Sequence, residues 1–117
     1  MKAEPIHCKV PDTLNIVVGK WKPTILFFLF QNGTMRFSEL MNHIPNITQK
    51  MLTSQLRELE KEDLIQRVVF PQVPPKVEYS ISEHGRSLEP MLLMMHEWGL
   101  SHIQHMEKKE TDSSTTA

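Results

Sequence analysis

Residues 38–60 read SELMNHIPNITQKMLTSQLRELE, and the fold turns on this stretch. Leu52, Leu56 and Leu59 recur at i, i+4 and i+7 with Met51 beside them, so one face of a helix is apolar. Thr48 stands ahead of the run as a residue suited to cap it. Gln49, Lys50, Thr53, Ser54 and Arg57 are displaced from the apolar stripe, and none of them is acidic. The acids Glu58, Glu60, Glu62 and Asp63 crowd the C-terminal end instead, where they oppose the helix dipole. A helix selected only for stability would carry acids in its first turn. This one keeps its early turns free of negative charge, which suits a face presented to an anion. Upstream, Ser38–His43 predicts one or two helical turns closed by Pro45. The joining residues Ile44-Pro45-Asn46-Ile47 place two isoleucines where they can pin the turn to a core. A short helix, a tight turn and a longer amphipathic helix make a helix-turn-helix pair. In that arrangement the second helix, Thr48–Glu62, enters the major groove of DNA and its exposed face reads base edges.

The flanking chain predicts the rest of the unit. Pro11-Asp12-Thr13 leads into Leu14, Ile16, Val17 and Val18, a short helix capped by Asp12 or Thr13 and ended by Gly19. Pro23 fits the first turn of an apolar helix over 24–31, stopped by Asn32-Gly33. Beyond the central helix, Ile65–Phe70 and Val77–Ile81 read as two strands. Pro71-Gln72-Val73-Pro74-Pro75-Lys76 lies between them, and three prolines in six residues exclude a central strand, leaving a stiff hairpin tip. Ser82 and Glu83 open a last helix whose stripe of Leu88, Met91, Leu92, Met95 and Gly99 runs on towards Met106. Pro90 kinks this helix or marks where its regular part begins. The expected organisation is an N-terminal arm over 1–10, one winged helix-turn-helix domain over 11–107 and a disordered polar tail over 108–117. The expected class is mainly α with a small antiparallel β-hairpin.

Composition bounds the function. The chain has 117 residues and a formal charge of −1, with 39 % apolar and 23 % charged residues, an ordinary globular balance. The longest apolar run, Ile25 to Phe30, has six residues, far short of the roughly 18 a bilayer crossing needs. No secretory pattern opens the chain, and the single cysteine, Cys8, excludes an internal disulfide framework. A cytoplasmic protein with no membrane partner is expected. Near-zero charge also excludes a sequence-blind polycation. The charge is unevenly spread, however. Residues 20–57 hold Lys20, Lys22, Arg36, Lys50 and Arg57 against Glu39 alone, a local +4, while residues 58–117 carry a net −5. Segments of unlike charge raise the question of a polyanionic partner.

The ordered motifs resemble the HxlR family of MarR-like bacterial transcription regulators. They are Cys8, Gly19-Lys20-Trp21-Lys22, Ile25-Leu26, Arg36-Phe37-Ser38-Glu39-Leu40, Pro45-Asn46-Ile47-Thr48-Gln49-Lys50-Met51-Leu52 and Gln55-Leu56-Arg57-Glu58-Leu59. Val73-Pro74-Pro75-Lys76-Val77-Glu78-Tyr79, Gly85-Arg86-Ser87-Leu88 and Trp98-Gly99 complete the series, which spans roughly residues 8 to 102. Asp63 departs from the pattern, since the family usually turns out of its reading helix on glycine. Aspartate tolerates the left-handed conformation better than most residues, so the turn is still expected.

The resemblance implies a homodimeric repressor or activator acting on a double-stranded DNA operator, with the first and last helices building the dimer. Leu14, Met91, Met94, Met95, Trp98 and His102 are the interface candidates. For DNA, glutamine can pair bidentately with adenine and arginine or lysine with guanine, which singles out Gln49, Lys50 and Arg57 beside Thr53 and Ser54. Thr48 is a capping residue and a candidate phosphate contact at a helix N-terminus. Arg36 and Lys76 are further phosphate candidates, Lys76 at the base of a wing over 71–76 that would follow the backbone or minor groove. Some family members sense electrophiles or oxidants through a cysteine at the position of Cys8, and His7 and Lys9 beside it would favour the thiolate. With one cysteine per chain, such a switch is limited to an intersubunit disulfide or an adduct with a small thiol or electrophile. No catalytic motif, cofactor motif or metal-ligand set is read: His102 and His105, with His96 above them, have no carboxylate or cysteine at ligand spacing. The alternatives are a winged-helix protein-interaction module and a regulator answering a ligand or metal without cysteine sensing.

Overall fold

The computed structural model describes residues 9–17 and 19–115. In chain order they form α1 (Val10–Val17), α2 (Lys22–Asn32), β1 (Met35–Arg36), α3 (Phe37–His43) and α4 (Gln49–Lys61). There follow β2 (Ile65–Phe70), β3 (Lys76–Ile81), a 3-10 turn (Gly85–Leu88) and α5 (Glu89–Thr115). Two compact units result, one running to Arg86 and the other from Ser87 onward.

In the first unit the apolar residues that sequence periodicity selects become the core. Ile25, Leu26 and Leu29 of α2, Leu40 of α3 and Leu52, Leu56 and Leu59 of α4 are essentially without solvent contact. Ile44 and Ile47, on either side of the α3–α4 turn, are buried as well, so the turn is anchored at both ends. Asn46 between them takes φ 67°, a left-handed conformation that asparagine accepts more readily than most residues. Helix α2 has Pro in its first turn and ends at Gly33, φ 77°, whose amide donates to the Leu29 carbonyl at 2.9 Å. Helix α4 starts where the Met51 amide donates to Thr48 Oγ1 (3.1 Å). It ends as Asp63 turns to φ 58° and the Leu64 amide reaches back to the Leu59 carbonyl (3.0 Å). Aspartate thus makes the turn in place of glycine.

The sheet has three antiparallel strands in the order β1-β3-β2, one more than the hairpin expected from sequence. The third, β1, pairs Met35 with Tyr79 and Arg36 with Glu78. Two residues give no periodicity to detect, and the Met35 side chain is buried there. Within the hairpin, Arg67 faces Tyr79 and Gln66 faces Ser80.

A buried serine fixes the hairpin to the end of α4. Ser82 Oγ donates to the Asp63 carbonyl, accepts from the Gly85 amide (2.8 Å), and the Ser82 amide donates to the Leu64 carbonyl (3.0 Å). Gly85 passes so close to Leu64 that a Cβ would stand 2.1 Å from its carbonyl oxygen. The end of β3 is therefore tied to the turn that closes α4. Ser82 caps the 3-10 turn rather than a long helix, and α5 starts only at Glu89, with Pro90 in its first turn. Helix α1 likewise starts earlier than its expected caps, at Val10, with Pro11 and Asp12 inside the helix.

The second unit carries α5, 27 residues long and helical through Thr115. Leu93, Met94, Met95, Trp98, Leu100, Ile103 and Met106 are all exposed on it. The Trp98 and His102 rings stack at 4.8 Å between centroids. Among the described residues, no helix is long and apolar enough to cross a membrane.

Candidate nucleic-acid interface

Helix α4 separates its side chains by face. Leu52, Leu56 and Leu59 are sealed in the core, while Gln49, Lys50, Ser54 and Arg57 are exposed and Thr53 is half-buried. All five polar side chains line one shallow hollow along the helix, with Glu58 at its end. Gln49, Thr53 and Arg57 also line a deeper cleft of about 490 Å³ between α4 and the hairpin. Leu56, Glu60, Phe37, Arg67, Val77 and Tyr79 complete its walls.

The hydrogen bonds show what each side chain has left to offer. Thr53 donates its hydroxyl proton to the Gln49 carbonyl (2.8 Å), so it presents a methyl group and lone pairs outward. Lys22 of α2 forms an ion pair with Glu58 (Nζ to Oε1 2.7 Å). That contact, first as a hydrogen bond and then through the ammonium charge, holds the Glu58 carboxyl below the usual glutamate range, and the Ser54 hydroxyl adds to the effect. The folded form is favoured by a depressed carboxylate pKa above the ordinary glutamate value, and that advantage is lost as pH falls through the lowered one. At neutral pH, Glu58 is thus a neutralised acid at the edge of the polar face, and Lys22 is the cation that neutralises it. Gln49, Lys50 and Arg57 keep free donors among the described residues.

The other sequence candidates fall elsewhere. Arg36 lies on β1, where its amide donates to Glu39 Oε1 (2.8 Å) and opens α3. Lys76 is at the foot of the wing, but its ammonium is held by Glu78 (3.1 Å) and sits over the Phe70 ring (4.8 Å). Neither lines the two hollows on α4. Thr48 is exposed and spends its oxygen on the cap. At the wing tip, Val73 is 99 % exposed. Leu14, Met94, Met95 and Trp98 are exposed, His102 is exposed and stacked on Trp98, and Met91 is half-buried. Cys8 lies outside the described residues. Sequence reasoning missed Arg67, which sits in the acidic half of the chain yet shares the cleft with Arg57. Only the strand register, which sets it opposite Tyr79, brings it there.

Two helices joined by a pinned turn, the second polar on its outer face and free of acids up to Glu58, followed by a hairpin wing, define a winged helix-turn-helix DNA-binding regulator. The chain belongs to the HxlR-like helix-turn-helix family, whose profile matches residues 16–107. It is 52 % identical over 106 residues to the HTH-type transcriptional regulator YtcD of Bacillus subtilis (strain 168), covering 91 % of this chain and 83 % of that one. Among solved structures it is similar to the redox regulator HypR in its reduced form, with 48 % identity and a TM-score of 0.81 over 86 % of this chain and 99 % of that one. The oxidised form of HypR gives 51 % identity and a TM-score of 0.76 over 80 % of this chain and 96 % of that one. The protein is a transcriptional regulator of the helix-turn-helix type.

Proposed function

We propose that the chain acts in the cytoplasm as a homodimer that binds an operator through α4. Gln49, Lys50, Thr53, Ser54 and Arg57 read the major groove, Thr48 and Arg36 meet phosphates, and the wing over 71–76, with Lys76 at its foot, follows the neighbouring backbone or minor groove. The observation that carries this reading is the division of α4 into a sealed leucine face and a polar face where Gln49, Lys50, Thr53, Ser54 and Arg57 share one hollow whose one acid, Glu58, is paired with Lys22. A protein-interaction platform would have no need to keep residues 49–57 of that helix free of acids. Subunit pairing is supported by the run of exposed apolar residues on α5, from Leu93 to Met106, with Leu14 exposed on α1. Large apolar side chains left exposed in such number on one helix mark it as an interaction element.

A duplex enriched from a random-sequence pool tests the reading. It is expected to bind two chains, with log affinity falling steeply and linearly in log salt as counterions are released. Capture of protein partners with no salt-dependent DNA binding would instead identify an interaction module.

The likeness to a redox regulator favours a second element of the proposal, that Cys8 carries an oxidant or electrophile signal. Treatment with diamide is expected to change operator affinity of the wild-type protein and to leave Cys8→Ser unmoved. Mass spectrometry should show a disulfide between subunits or an adduct at Cys8. An equal response by the two proteins contradicts a sensing role.

A further inference from the structure

We propose that Arg67 is a backbone-phosphate contact, taking the DNA strand that flanks the groove entered by α4. This rests on the DNA-reading role of α4 and adds to it a residue that lies on a strand.

Successive side chains on a strand alternate between faces. Gln66 and its partner Ser80 therefore turn one way and line a separate hollow on the other side of the sheet, together with Leu29 and Arg86. Arg67 turns towards α4 and lines the cleft with Gln49 and Arg57, beside the nearly buried ring of its partner Tyr79.

Its charge is uncommitted. Lys22 and Lys76, two cations near the site, are each held by a carboxylate, whereas, among the described residues, Lys50 and Arg57 on α4 are not. Among the described residues, neither Arg57 nor Arg67 has an ion pair, although Glu60 lines the same cleft. Two exposed guanidinium groups lining one cleft repel each other weakly until an anion enters. A guanidinium fork matches the oxygens of a phosphate diester in charge and shape.

The position on the sheet selects backbone over base. The major groove is about 12 Å wide and takes one helix. With α4 inside it, elements packed beside α4 stand over the bordering sugar-phosphate strands. Ser82 and Gly85 hold the hairpin in register with the end of α4, which sets the distance of Arg67 from the reading face.

The test compares wild type, Arg67→Gln and Arg67→Lys on two probes across a salt series, by fluorescence anisotropy. One probe is a short duplex of arbitrary mixed sequence, and the other is the duplex enriched from a random pool. Arg67→Gln is expected to weaken both probes by a similar factor, roughly tenfold at low salt, and to reduce the salt slope by about one per bound chain. Arg67→Lys should keep the wild-type slope, and both variants should melt with the wild type. Unchanged slope in Arg67→Gln overturns the proposal, as does a loss confined to the enriched duplex, which marks a base reader. A lysine variant as defective as the glutamine one also overturns it. If wild type itself binds neither probe in a salt-dependent way, the reading role of α4 fails and this proposal with it.

Discussion

Replacing Leu56 with alanine is expected to lower the free energy of unfolding by about 2–5 kcal/mol. Leu56 is 1 % exposed at the centre of the stripe that holds α4 in the core. Truncation there removes apolar contact and leaves a cavity between Leu52 and Leu59, the neighbours one turn either way, which are themselves fully buried. Leu56 also forms part of the wall of the cleft that Arg57 and Arg67 line. The change therefore loosens the seat of the reading face as well as the core, and DNA affinity should fall with stability. Urea denaturation followed by circular dichroism, at one protein concentration, checks the magnitude. Met51→Ala is the control, because Met51 beside the stripe is exposed and should cost little. A loss below about 1 kcal/mol for Leu56→Ala contradicts the assignment of the buried face.

The second large effect concerns recognition. Arg57→Ala is expected to weaken operator binding by about 1–3 kcal/mol per chain and to relax preference at one base pair, while leaving stability near the wild-type value. Arg57 is exposed and without an ion pair among the described residues, so its removal costs the fold little. Its guanidinium belongs to both hollows on α4, where it can meet a guanine O6 and N7 together. Competition between the enriched duplex and one of mixed sequence reads the change. Arg57 and Arg67 should then differ in kind: loss at Arg57 depends on sequence, and loss at Arg67 does not.

Much of this geometry is legible in residues 38–60 because helix periodicity and capping are local signals. The three leucines, the Thr48 cap and the pinned isoleucines all follow from side-chain chemistry within a few positions, while the turn at Asp63 is expected from the family resemblance. The features that sequence could not supply depend on contacts between distant segments. Strand β1 is two residues long and exists through pairing with β3. Ser82 looks like a helix cap, yet its hydroxyl joins the Asp63 carbonyl to the Gly85 amide, partners separated in the chain. The charge map shifts in the same way. Lys22, counted in the positive segment, and Lys76, a phosphate candidate, are paired with Glu58 and Glu78. Arg67, counted in the acidic half, returns to the site through strand register. Summing charge along the chain therefore does not show which cations are paired or which segments meet in the fold.

The most direct test of the account is a dimethyl sulfate interference experiment on the enriched duplex, with wild type and Arg57→Ala in parallel. Methylation at guanine N7, which faces the major groove, is expected to block wild-type binding in two half-sites one helical turn apart, about 10 base pairs or a multiple of that. The Arg57→Ala protein should lose sensitivity at one guanine in each half-site. Binding that tolerates methylation at every guanine N7 and is blocked only by methylation at adenine N3 in the minor groove would contradict the placement of α4.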